Sequence, residues 1–209
     1  MIKNILFDMG GVIIPISHER AVSRFREIGL LDADKRLDSY TQQGIFGALE
    51  EGKITDEEFR CELSLLVGVE LTWEQCQYAW LGYMLEVPRR NLETLQRLRN
   101  EGYRVILLSN TNPFIIRWAM SNKFDGQGHG IDYYLDAAYM SFRCGSMKPS
   151  EAFFRHVLQT EGILPEETLF LDDGIRNIEA AGRFGIHTFL VENGSDWTES
   201  IRTAISLFQ

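Results

Sequence analysis

The chain has 209 residues, enough for one full hydrophobic core and a smaller inserted unit. Its 44% hydrophobic and 24% charged residues are the balance of a soluble globular protein, no apolar run approaches bilayer-spanning length, and a cytoplasmic protein is expected. A net charge of -9 argues against nucleic acid or an anionic membrane as partner, and an anionic substrate would need positive charge supplied locally.

The first apolar run, Ile5-Leu6-Phe7, stops at Asp8 and passes into Gly10-Gly11, which suits a buried strand that delivers a carboxylate to the mouth of a sheet. From residue 15 to 86 the pattern is helical throughout. Ala21, Phe25 and Ile28 recur at helical spacing, and Leu30-Leu31 followed by Asp32-Ala33-Asp34 marks a break and a new start. Thr55 with Glu58, and Thr72 with Gln75, fit capping boxes ahead of apolar runs. Nothing in this block reads as a strand, so residues 16–86 are expected to form a small all-helical cap, with 1–15 and 87–209 making the α/β core. Its aromatics, Phe46, Phe59, Trp73, Tyr78, Trp80 and Tyr83, are expected mainly in the cap's core.

Beyond Pro88, helices and strands alternate. Leu92, Leu95 and Leu98 share one face of a helix over 91–101 that stops at Gly102, and the buried strand 104–108 halts at Ser109-Asn110-Thr111. A helix is predicted over 113–121. The Gly126-Gln127-Gly128-His129-Gly130 tract has no strand leading into it and reads as a mobile connection rather than a nucleotide loop. A third strand over 137–141 is followed by Lys148-Pro149, with the proline placed to open a helix that runs to Glu161. A fourth strand, 168–171, ends at Asp172-Asp173-Gly174, and a helix carrying Ile178, Ala181 and Phe184 leads to a fifth strand over 187–191. An amphipathic helix over 197–208 closes the chain. The expected fold is α/β, a Rossmann-like doubly wound parallel sheet with the helical cap inserted after the first strand. Cys61, Cys76 and Cys144 are far apart and read as small hydrophobes. His18, His129, His156 and His187 lack metal-ligand spacing.

In such a sheet ligands bind beyond the carboxyl ends of the strands. Asp8, Ser109-Asn110 and Asp172-Asp173 each follow a strand, and Lys148 precedes a helix that follows one, so all are expected on one rim. Three carboxylates gathered there would repel one another without a cation, and hard oxygen ligands favour Mg²⁺.

These stretches, Phe7-Asp8-Met9-Gly10-Gly11-Val12, Leu108-Ser109-Asn110-Thr111, Lys148-Pro149 and Leu171-Asp172-Asp173-Gly174 with Asn177, resemble the four ordered motifs of the haloacid dehalogenase superfamily. The likeness spans the whole chain and is nearest the branch that contains bacterial α-glucose-1-phosphate phosphatase. It implies a Mg²⁺-dependent phosphatase acting on a small phosphorylated metabolite such as a sugar phosphate, as a monomer or homodimer. Asp8 would be the nucleophile, forming an aspartyl-phosphate. Asp8, the Gly10 carbonyl, Asp172 and Asp173 would hold the metal, with Asp172 direct or through water. Ser109, Asn110 and Lys148 would bind the phosphoryl oxygens, Lys148 also stabilising the transition state. One position departs from the family pattern: phosphatases of this kind carry an acid-base aspartate two residues after the nucleophile, and here that residue is Gly10. Either turnover is slow, or the substrate is one whose leaving group needs little protonation, such as an anomeric, acyl or aryl phosphate, or another residue substitutes, His18 being the nearest titratable candidate. Two other readings share the fold: a metal-independent 2-haloacid dehalogenase-like hydrolase, which would have no use for paired carboxylates, and a non-catalytic binding or regulatory protein.

Overall fold

The computed structural model describes residues 1–38 and 43–208. Five strands, β1 (Asn4–Phe7), β2 (Arg104–Ser109), β3 (Ala137–Met140), β4 (Thr168–Asp172) and β5 (His187–Leu190), form one parallel sheet in the order β3-β2-β1-β4-β5. The topology is the doubly wound α/β arrangement that the alternating pattern predicts. β1 lies at the centre, where Phe7 is level with Leu107 on one side and Leu171 on the other. Its side chains alternate between two cores, as the two-residue period of a strand requires. Ile5 and Phe7 pack on one face with Leu95, Leu98 and Trp197, while Leu6 packs on the other with Phe153, Phe154 and Ala181. The second face is covered by helices Glu151–Glu161 and Ile175–Arg183, and the first by helix Arg89–Asn100 and the C-terminal segment.

Among the described residues, five helices lie between β1 and the helix at Arg89: α1 (His18–Glu27), α2 (Ala33–Arg36), α3 (Gly44–Glu50), α4 (Asp56–Val67) and α5 (Trp73–Trp80). Both predicted capping boxes are formed, with the Thr55 and Thr72 hydroxyls accepting from the amides of Glu58 and Gln75 and the two acidic or amide side chains reaching back. Phe25, Phe46, Phe59 and Trp80 meet mostly edge to face at centroid separations of 5.3 to 5.7 Å, the geometry that aligns ring edges with ring faces. At the base of this insert Ile16 and Met84 make an antiparallel bridge, and the Arg20 guanidinium donates to the carbonyls of Leu81, Gly82 and Met84. The insert is therefore stitched shut where it leaves the sheet. The helical reading of residues 39–42 lies outside the described residues.

Several local expectations are revised. Pro149 does not open the helix: Ser150 caps it through its hydroxyl, the helix runs Glu151–Glu161, and the Lys148–Pro149 peptide bond is cis. The last helix is only Ser200–Ser206, because Trp197 is committed to the core, its indole N–H donating to the Val12 carbonyl at 2.8 Å. The glycine tract is a pinned loop. Asp125 accepts from the amides of Gln127 and His129 and from the Tyr134 hydroxyl, and its carboxylate also meets the His129 ring, so glycines there accommodate a tight turn. Of the cysteines, Cys76 is buried, Cys144 is half-buried and Cys61 is exposed.

Candidate active site

The carboxyl edge of the sheet gathers the rim residues. Asp8 leaves β1 with its amide still donating to the Leu171 carbonyl at 2.9 Å, so the backbone of β4 sets its position. One carboxylate oxygen accepts from the amide of Met9 at 2.7 Å, and the other lies 3.0 Å from Lys148 Nζ. Lys148 comes from the loop after β3, and its side chain is fully enclosed. It bridges Asp8 and Asp172, the latter at 2.6 Å. Burial alone would lower the Lys148 pKa, but the Asp172 and Asp8 carboxylates prevail and the net shift is upward. The lysine is therefore held charged inside the site.

Its backbone is clamped as well. The Asn110 carboxamide accepts from the Lys148 amide and donates to the Lys148 carbonyl, both at 2.8 Å. The loop after β2 is in turn tied to Ser141, whose hydroxyl accepts from the Thr111 amide at 2.9 Å and donates to the Thr111 carbonyl at 3.1 Å. Ser109 is buried beside this loop and lines the cavity with Asp8. Asn110 was expected to bind phosphoryl oxygens; with both ends of its side chain on Lys148, it is first a clamp for the lysine.

Asp172 and Asp173 diverge in role. Asp172 is fully buried, one oxygen accepting from the Gly174 amide at 2.7 Å and Asn177 Nδ2 at 2.9 Å, the other from Lys148. Its oxygens are thus occupied by protein donors. Asp173 Oδ2 is buried with no hydrogen-bond partner. The Asp173 carboxylate fills the space beside Gly11, whose φ of +79° suits glycine and where a Cβ would overlap it.

Ligand oxygens of Asp8, Asp172 and Asp173 lie within 4.8 Å of one another. Burial, with Asp172 and Asp173 adding to it against the pull of Lys148, pushes the Asp8 pKa up to about 7. Burial and Asp172 push Asp173 up to about 6. An unpartnered buried carboxylate oxygen beside a second carboxylate whose charge burial disfavours is a donor set that a hard divalent cation fits. Gly10 lines the same cavity.

Part of the remaining cavity wall comes from the helical insert and was not legible in the sequence. Glu50, Trp80, Tyr83 and Met84 face the strand ends. Trp80 also keeps a buried indole nitrogen without a hydrogen-bond partner. Glu50, the last residue of α3, is half-buried. Burial pushes its pKa up to about 8; the nearby Asn112 amide draws it down and the Asp8 charge raises it. Asn112 does not close a well-formed hydrogen bond, since its Nδ2 is a buried donor without a partner. His18 is elsewhere: its Nε2 meets the Leu37 carbonyl at 3.0 Å and it is not among the residues that line the cavity. It is no substitute for the missing aspartate.

The chain resembles known proteins along its length. Residues 2–185 match the model of the haloacid dehalogenase-like hydrolases. The chain is 46% identical over 206 residues to D-ribitol-5-phosphate phosphatase of Bacteroides thetaiotaomicron, covering 99% of this chain and all of that one. It superposes with a TM-score of 0.93 on a predicted hydrolase of the same family from Porphyromonas gingivalis, 41% identical and covering 98% of each chain. A family enzyme of B. thetaiotaomicron, solved with magnesium and inorganic phosphate, superposes with a TM-score of 0.89 at 34% identity, covering 97% of this chain and all of that one. With its carboxylate and lysine cluster at the sheet edge and these whole-length likenesses, the chain belongs to the haloacid dehalogenase-like hydrolases.

Proposed function

We propose that this phosphoric monoester hydrolase acts on a small phosphorylated metabolite of the sugar-phosphate or sugar-alcohol-phosphate class, with Asp8 as nucleophile. The observation that carries the reading is the buried constellation of Asp8, Asp173 with its unpartnered oxygen, and the enclosed Lys148. The relative that removes phosphate from ribitol 5-phosphate and the related structure holding magnesium and phosphate support the substrate class and the metal.

An oxygen of Asp8 attacks phosphorus, the ester oxygen leaves, and water then hydrolyses the aspartyl-phosphate, so that one difficult displacement becomes two easier ones. Asp8, Asp173 and the Gly10 carbonyl would hold Mg²⁺, with Asp172 reaching it through water because its own oxygens are engaged. When bound, Mg²⁺ screens the phosphoryl charge from Asp8 and orients its oxygens. Lys148 supplies a fixed positive charge where negative charge accumulates on the transferring group, and the Ser109 hydroxyl donates to a phosphoryl oxygen. Asn110 keeps Lys148 in register. Residues 16–86 act as a cap that closes over the phosphoryl group, excludes water and contacts the rest of the substrate.

A panel of phosphorylated metabolites, assayed with Mg²⁺ and with chelator, tests the reading. We expect phosphate release that chelation suppresses and that Asp8→Asn reduces to background. Release that survives Asp8→Asn would exclude Asp8 as nucleophile.

A further inference from the structure

Gly10 stands where a proton-carrying side chain would serve the reaction, yet two protons still have to move. One must reach the leaving oxygen, and one must leave the attacking water. This requirement rests on the phosphatase reading above. Among the described residues that line the cavity, four side chains ionise: Asp8, Asp173, Tyr83 and Glu50. Asp8 and Asp173 belong to the nucleophile and metal cluster. The Tyr83 hydroxyl donates to the Asp38 carbonyl at 3.1 Å. Glu50 has only the nearby Asn112 amide, whose Nδ2 closes no well-formed hydrogen bond.

Its placement suits the task. In-line displacement directs the leaving group away from Asp8, and the wall opposite the strand ends is built by the insert that carries Glu50. The turn that follows Glu50 is pressed against the core. Gly52 has a φ of +70°, and a Cβ on it would overlap the carbonyl of Phe142, in the short helix Ser141–Cys144 after β3. Close backbone contact therefore fixes where α3 ends.

We propose that Glu50, reaching in from the helical insert, is the general acid and base of this active site and replaces the side chain that Gly10 lacks. In the first step a bond forms between an Asp8 oxygen and phosphorus, the bond from phosphorus to the ester oxygen breaks, and the Glu50 carboxyl proton passes to that oxygen, releasing the alcohol. In the second, the Glu50 carboxylate takes a proton from water as the water oxygen bonds to phosphorus. The bond from phosphorus to Asp8 then breaks, leaving inorganic phosphate, a free Asp8 and a reprotonated Glu50. The environment favours the starting state, because burial and the Asp8 charge keep Glu50 protonated at neutral pH.

The test compares two esters in Mg²⁺: ribitol 5-phosphate, whose alkoxide leaves only with a proton, and 4-nitrophenyl phosphate, whose phenolate leaves without one. For Glu50→Gln we expect kcat/KM to fall by about 10²- to 10⁴-fold on the first and by less than about tenfold on the second. Glu50→Asp should recover part of the loss on the alkyl ester. Because breakdown of the aspartyl-phosphate needs the base with either substrate, Glu50→Gln should also accumulate phosphoenzyme on rapid quenching. The ratio of the two kcat/KM values does not depend on the fraction of folded enzyme, so a folding defect cannot mimic the result. Equal losses on both esters, or no loss on either, would overturn the assignment. Asp8→Asn, which should abolish both activities, tests the underlying reading separately. A wild-type protein that hydrolyses neither ester would remove that reading and the role of Glu50 with it.

Discussion

Asp173 Oδ2 is buried without a partner and the pKa of the Asp8 carboxyl is pushed up to about 7 by burial, the features on which the proposed cation site rests. Both carboxyls are raised above their ordinary range, Asp173 to about 6. A raised carboxyl contributes stability that is complete below the unfolded pKa, near 4, and is lost as the pH climbs through the folded value. The metal-free protein should therefore lose stability from these groups between about pH 4 and about pH 7. On the proposed reading Mg²⁺ would bind the ionised forms and offset that loss. Melting curves with and without Mg²⁺ should show a larger metal-induced rise in Tm at about pH 8 than at about pH 5. An equal rise at both would mean that these carboxyls do not bind the ion. Asp172 illustrates why residue type alone is a poor guide to role: adjacent to Asp173 and chemically identical, it spends its oxygens on Lys148, Gly174 and Asn177.

At the scale of elements, Asp8, Ser109 and Asp172 sit at or just beyond strand ends, and Lys148 is held from the loop that follows β3 and its short helix. The loop after β2 holds Lys148 through Asn110, and Ser141 holds the loop after β2. α3 differs, since its end is located by contact between insert and core rather than by hydrogen bonds of the sheet. Gly52→Ala probes that contact. It adds a Cβ at positive φ against a backbone carbonyl, and neither can relax cheaply. We expect a loss of stability upward of about 1 kcal/mol in denaturant titration, together with a fall in kcat/KM as Glu50 shifts. Gly102→Ala, at a position with φ of +94° but open space around it, is the control: it should cost stability without the catalytic defect.

Across the whole molecule one apolar cluster runs from the sheet into the insert, joining Ile5 and Phe7 to Phe25, Phe46 and Trp80. Shared burial couples the two, and thermal unfolding followed by near-UV and far-UV circular dichroism should give coincident single transitions. Separate transitions would show that the insert melts alone. The order of helices and strands, the parallel sheet, the capping boxes and the convergence of Asp8, Ser109, Lys148, Asp172 and Asp173 on one rim follow from the sequence, because each depends on short-range periodicity or on a residue ending a strand. The chemical roles expected of them came from the family resemblance. What only the tertiary structure decided is how segments far apart in the chain meet: Asn110 turned to clamp Lys148, Asp172 saturated while Asp173 is left open, His18 on the Leu37 carbonyl, and Glu50 brought to the cavity that Asp8 lines. Glu50 is one acidic residue in a helical stretch rich in them, and no local pattern distinguishes a carboxyl facing water from one facing a phosphate. That distinction depends on how the insert docks over the sheet.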